Sequence, residues 1–296
     1  MVNINDISYD TYFRILLELL TVVGLISIVA NFFLIFVIIK YKKLREDTTN
    51  LIFLHLNIMQ VVILIGTLIT QRIEIQYEFS SASKVHARVF CILYQIDVSV
   101  LLFGILGVLF LLVCDSFIKI YYKNKYQSFG LFCKFALIGF YILPGCIPFI
   151  LVPYCVSDPY FILLICLIMI VCTAIVASPV IIINIIHAIK KRKLINYKSS
   201  NIGLVVPNIF FLLWCPTLTI ALLCMFVLSA PIVAAILCVL LFLNPVFNLL
   251  YVYFYDSDYK IFLKLCFTCK CNEYSTVNLE DQSVTYNDVN DGVVIS

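Results

Sequence analysis

Charge is what this sequence has least of. Only 12% of its 296 residues are Asp, Glu, Lys or Arg, against about 25% in a soluble domain. A water-facing surface cannot be covered with so few. The chain therefore reads as an integral membrane protein, with the lipid bilayer as its main partner and no nucleic-acid partner. No Asn-x-Ser/Thr acceptor occurs anywhere, so N-glycosylation is not expected. No basic segment precedes the first apolar run, only 13 mostly polar residues, so the first helix is expected to act as an uncleaved anchor. No catalytic constellation, metal-ligand set or cofactor motif is present, so an enzyme is not expected. Cysteine, by contrast, is abundant at 13 residues. Most lie inside apolar runs, where a thiol behaves as a small hydrophobe, so the count does not imply a disulfide scaffold.

What is there is long apolar runs. Crossing a hydrocarbon core of ~30 Å takes about 20 residues. Runs of that length lie near 14–39, 50–70, 90–114, 132–153, 160–189, 202–228 and 232–255. The last two form one apolar block, too long for one helix, which is expected to break at "LSAP" (228–231). The expected fold is an all-α, seven-helix transmembrane bundle. Prolines inside the runs (Pro144, Pro179, Pro207, Pro216, Pro245) are tolerated as kinks in lipid. Placing the N-terminus outside puts 16 of the 20 Lys and Arg in inside segments, among them the "KKRK" run at 190–193. The chain then divides into an outer N-terminus (1–13), the membrane domain (14–255), an amphipathic eighth helix with a cysteine cluster (256–271), and a polar, acidic tail (272–296) that reads as disordered.

Polar groups are costly inside a membrane and usually face the bundle, so they narrow the choice. The first run holds "SIVANFFLIFVI" with Asn31, and the second "TTNLIFLHLNIMQVVIL" with Gln60. The third is headed by Cys91 and ends in "CDSF", with Asp115, Ser116 and Phe117. The sixth holds "FFLLWCPT" (Phe210, Trp214, Pro216) and the seventh "LNPVFNLLY" (Asn244, Pro245, Asn248). Taken in order, these resemble the motifs of rhodopsin-like (class A) G-protein-coupled receptors, across the whole transmembrane region. The resemblance makes Asn31, Gln60, Phe210, Trp214, Pro216, Asn244, Pro245 and Asn248 a core switch network. It makes "DSF" the counterpart of the family's Asp-Arg-Tyr, at the G-protein face, since Ser116 stands 25 residues after Cys91. It also implies a disulfide from Cys91 to Cys155.

The departures are chemical. Gln60 stands where the family has a sodium-coordinating aspartate and Ile105 where it has a serine, so the carboxylate that a hard cation needs is missing. Ser116 cannot make arginine's planar charged fork. Asn248 lacks the tyrosine's phenol, His187 stands where the fifth helix has a tyrosine, and Pro179 sits lower than the family's proline. Apart from the resemblance, Trp214 and Pro216 can be packing plus a kink. The Asn-Pro pair frees backbone groups that need partners, which favours a polar network with Asn31 and Gln60.

Asp97 lies one and a half turns inside the third helix; it either faces water at the outer mouth or anchors a cationic ligand group. His55 reads as a hydrogen-bonded packing residue. Tyr9 and Tyr12 beside Asp6 and Asp10 are either a polar leader or, as in chemokine receptors, sulfation sites for a basic ligand. Cys266, Cys269 and Cys271 follow the amphipathic helix and are candidate palmitoylation sites. In the tail, "YSTV" and "YNDV" have the form bound by clathrin adaptors. A worn Asp-Arg-Tyr motif in a chain rich in Ile, Asn, Lys and Tyr also resembles virus-encoded receptor homologues. The expectation is a plasma-membrane receptor for an unidentified extracellular ligand, a peptide or chemokine among the candidates, with a heterotrimeric G protein as inner partner and atypical or ligand-independent coupling. The alternatives are a receptor-shaped decoy or scaffold and a small transporter or channel. A transporter would need mid-membrane ionisable residues and an internal repeat, and neither is seen. The last apolar block, 202–255, contains no lysine to carry a retinal Schiff base.

Overall fold

The computed structural model describes residues 4–79, 84–122, 126–157, 161–191, 202–226, 233 and 239–267. Every regular element among them is a helix. The tail motifs, Cys269, Cys271 and the expected break at 228–231 lie outside the described residues. An all-helical answer follows from the composition: with no water in the bilayer core, each backbone N–H and C=O must be satisfied within its own segment. The chain is an all-α, multi-pass membrane protein. Among the described residues, five helices are long and apolar enough to cross a membrane, or six if the bent pair Val239–Tyr255 and Ser257–Phe267, 106° apart, counts as one span.

The elements are α1 (Ile4–Lys40), the short α2 (Lys42–Glu46), α3 (Thr48–Phe79), α4 (Lys84–Ser99), a wide π-type turn (Val100–Ile105), α5 (Leu106–Tyr121), α6 (Tyr126–Ser157), α7 (Phe161–Lys191), α8 (Ile202–Phe226), α9 (Asn244–Tyr255) and α10 (Ser257–Phe267). Helix outruns hydropathy at both ends of the first two runs. The polar leader is helical from Ile4, and α3 continues to Phe79, beyond the apolar run that ends near residue 70. Hydropathy marks where a helix meets lipid; backbone hydrogen bonding continues beyond that wherever no proline or glycine stops it. Pro179 sits inside α7, and Pro207 and Pro216 sit inside α8. Pro245 instead lies in the first turn of α9, where its missing N–H costs no bond.

Helix α4, the π-type turn and α5 run on as one central helix that touches α3, α6, α7 and α8. Its apolar stretch Cys91–Tyr121 is 67% buried, whereas those of α6 and α7 are each 17% buried. The outer helices therefore present Phe132, Phe135 and Ile142, or Ile175, Ile181 and Ile185, to the surroundings. In a membrane protein that is the lipid face. The core is formed by Leu34 and Ile38 of α1, Phe53 and Leu56 of α3, Leu109 and Leu112 of α5, Phe210 of α8 and Tyr259 of α10.

Helix α10 is docked by specific contacts. Asp256 caps it, its Oδ1 accepting the amides of Asp258 and Tyr259 at 3.1 Å each. The fully buried Tyr259 hydroxyl donates to Asn50 Oδ1 at 3.1 Å. Burial, with Asp256 nearby, pushes that phenol well above its usual range, so it stays a donor. Phe262 stacks on Tyr41 at 4.0 Å, and Lys43 pairs with Asp258 at 3.0 Å.

Candidate functional site

The Asn-Pro pair sits at the start of α9, facing α3. Asn244 Oδ1 accepts two hydrogen bonds, from Gln60 Nε2 at 2.9 Å and from Asn248 Nδ2 one turn on at 3.0 Å. All three side chains are buried. No carboxylate enters this cluster; it is built of neutral amides. Gln60 Oε1, Asn244 Nδ2 and Asn248 Oδ1 have no partner among the described residues. Asn31 is fully buried and neither amide atom has a partner among the described residues, so it lies in the core without bonding to the cluster. Helix α1 is joined to this region instead through Ser27, whose hydroxyl donates to the Phe242 carbonyl oxygen.

In α8, Phe210 is buried and stacks on Trp214 with ring centroids 4.9 Å apart and planes 14° from parallel. Trp214 Nε1 has no partner among the described residues, and Pro216 is exposed two residues on.

The "CDSF" end of the central helix is a polar junction. Asp115 is completely buried, and Thr49 Oγ1 donates to its Oδ2 at 2.6 Å. Lys119, one turn on, pairs with Asp47 at 2.6 Å and lies 3.5 Å from Thr49 Oγ1. Asp47 immediately precedes α3, and its Oδ1 accepts the Thr49 amide. One acid therefore joins α5 to the first turn of α3. Ser116 is buried on another face, against α8. Phe117 is half-buried and meets Tyr121 and Tyr122 at 4.8 and 6.0 Å. Tyr121 reaches α7 through its hydroxyl, 3.0 Å from His187 Nδ1.

At the other end, Asp97 turns towards α3. Thr70 Oγ1 lies 3.2 Å from Asp97 Oδ2 and 2.9 Å from the Gly66 carbonyl oxygen. Gly66 makes the approach possible, because a Cβ there would overlap Asp97 Oδ1. Close by on the same side, Glu18 and Arg72 join α1 to α3 at 3.0 Å. His55 Nδ1 meets the Tyr141 hydroxyl at 2.8 Å, as a packing residue would. Cys91 is buried and disulfide-bonded, while the side chain of Cys155 is outside the described residues. Cys266 has its Sγ 3.9 Å from the Tyr41 hydroxyl, facing α1.

Of the residues singled out in the sequence, the structure brings together Gln60, Asn244 and Asn248, and separately Phe210 and Trp214. Among the described residues, Asp97, Asn31 and the Asp115–Phe117 segment share no side-chain hydrogen bond or ring contact with either group. Thr49, Asp47, Lys119, Gly66, Thr70 and Gly203 are the contributors that sequence reasoning missed. The one signal for the glycines is their presence inside apolar runs, where a helix otherwise disfavours them. Compared with protein-family models and with curated proteins, the chain finds no match in either.

Proposed function

We propose that the chain is a divergent class A G-protein-coupled-receptor-like protein of the plasma membrane, or of a host cell's membrane if virus-encoded. In this reading seven helices cross the bilayer with the N-terminus outside. An extracellular peptide or chemokine acts at the Asp97 end, and a heterotrimeric G protein is engaged at the Asp115 end. The observation that carries the reading is the Gln60–Asn244–Asn248 cluster. Three residues that the resemblance assigns to one switch meet within hydrogen-bond distance, although Gln60 and Asn244 are 184 positions apart. The 16 of 20 basic residues in inside segments support the orientation. A Cys91–Cys155 bridge would tie the third helix to the second outer loop, and lipid on Cys266, Cys269 and Cys271 would hold α10 at the interface. The neutral amide cluster argues against a bound sodium ion.

A second reading, a receptor-shaped decoy or scaffold that scarcely couples, is favoured by Ser116, which is small, buried and uncharged. A G-protein dissociation assay in cells, without agonist, separates the two. Basal dissociation in the wild type, or activity gained by Ser116→Arg, supports the receptor. Silence of both removes signalling and leaves the scaffold.

A further inference from the structure

Gly203 occupies the first turn of α8, directly opposite Ser116. A Cβ placed on it would overlap Ser116 Oγ and would lie 2.9 Å from Ser116 Cβ and 2.8 Å from the Leu112 carbonyl oxygen. Real Cβ atoms do not approach a backbone oxygen that closely, so α5 and α8 meet here at a distance that only glycine permits. Around the contact, Leu112, Ile202, Leu204 and Val206 are all buried. In lipid, where apolar side chains gain little by leaving their surroundings, such close backbone approach is a main source of helix–helix attraction. The other side of α5 is held at the same level by Asp115 on Thr49 and Lys119 on Asp47.

We propose that Ser116 and Gly203 form a steric clasp that keeps the Asp115 ends of α5 and α8 shut. The clasp is made of packing and contains no ion pair, so the position where the family resemblance has an arginine serves here to admit a neighbouring backbone. Opening requires α8 to leave α5 by at least the width of a methyl group, and any side chain at position 203 holds the pair apart. A bulky residue at 116 acts as the same wedge from the other helix. The inference rests on the receptor reading only in identifying this end as the cytoplasmic one; the clasp itself is a property of the bundle.

The test is amide hydrogen–deuterium exchange on the full chain in lipid nanodiscs. Gly203→Leu is expected to raise exchange in 112–122 and 202–208 by about tenfold, with 17–40 and 50–70 unchanged. Ser116→Arg is expected to open the same two segments. Gly203→Ala should give a smaller rise that Ser116→Gly partly reverses, because the Leu112 carbonyl still stands in the way. A lipid-facing control, Ile181→Phe, should change neither segment. Unchanged exchange in Gly203→Leu, or no reversal in the Ala/Gly pair, overturns the clasp. If Gly203→Leu loosens the whole bundle, the milder Ala/Gly pair decides. Exchange that responds as expected in a chain silent in the G-protein assay supports the clasp and counts against the receptor reading alone.

Discussion

The two ends of the central helix each carry one acid, and the two acids are held in opposite ways. Asp115 is sealed from solvent. Its Oδ2 accepts a hydrogen bond from the Thr49 hydroxyl, Lys119 and Asp47 stand beside it, and α7 and α8 close on neighbouring positions through His187 and Gly203. Asp97 is half-buried and is hydrogen-bonded to Thr70 and Thr67 of α3, with no ion pair to it among the described residues. The donors differ as well. The Thr49 hydroxyl donates a hydrogen bond to Asp115, whereas Thr70 has a backbone alternative in the Gly66 carbonyl. One end is a junction whose parts depend on one another. The other holds an acid bound to one neighbouring helix by hydroxyls and by no ion pair among the described residues.

That contrast is broken most directly at the junction. Asp115→Leu leaves the Thr49 hydroxyl buried without its acceptor, and should cost about 2–3 kcal/mol of stability. The expected outcome is a clear fall in the melting temperature of the full chain in nanodiscs. A variant that melts with the wild type would mean that the junction is decorative and that the two ends do not differ.

A smaller effect is expected in the amide cluster between the ends. Gln60→Leu removes one of two donors to Asn244 Oδ1 and leaves the Asn248 bond. Interhelical hydrogen bonds in membranes are worth about 1 kcal/mol, so the fall in melting temperature should be less than half that of Asp115→Leu. If sodium chloride stabilises the wild type more than potassium chloride does, and Gln60→Leu abolishes the difference, the view of this cluster as a neutral network fails.

These rankings show what could be read in advance. Membrane character followed from 12% charge, and buried amides followed from the cost of polar groups in lipid, so Gln60, Asn244 and Asn248 were legible together. The junction was not. Thr49 and Asp115 are 66 positions apart, and hydropathy carries no record of which face meets which. The π-type turn at Val100–Ile105 adds a further obstacle. It shifts the faces of α4 and α5 by about one residue's rotation, ~100°, so the 25-residue spacing from Cys91 to Ser116 does not by itself say where Ser116 points. Gly203 and Gly66 were visible only as residues that a helix would rather not contain.

At the Asp97 end, Gly66→Ala tests whether the acid is seated by the missing side chain. The new methyl group displaces the carboxylate from Thr70, at a cost of about 1 kcal/mol, and Asp97→Ala should remove the cost by emptying the space. If the double variant is as unstable as Gly66→Ala alone, the glycine serves another contact and Asp97 is not seated there.

The smallest effect expected is the most informative about function. Asp97→Leu leaves the Thr70 hydroxyl its bond to the Gly66 carbonyl oxygen at 2.9 Å and takes the acceptor from one other hydroxyl, that of the half-buried Thr67. A change below about 0.5 kcal/mol is the expected outcome, within the range of a substitution that breaks no network. A carboxylate that contributes nothing to stability, yet sits among apolar helices where charge is costly, needs a reason outside the fold. Under the proposed reading that reason is a cationic group on the ligand. A loss of 2 kcal/mol or more in the melting of Asp97→Leu would make the acid structural after all, and would leave the outer end with no candidate contact for a ligand.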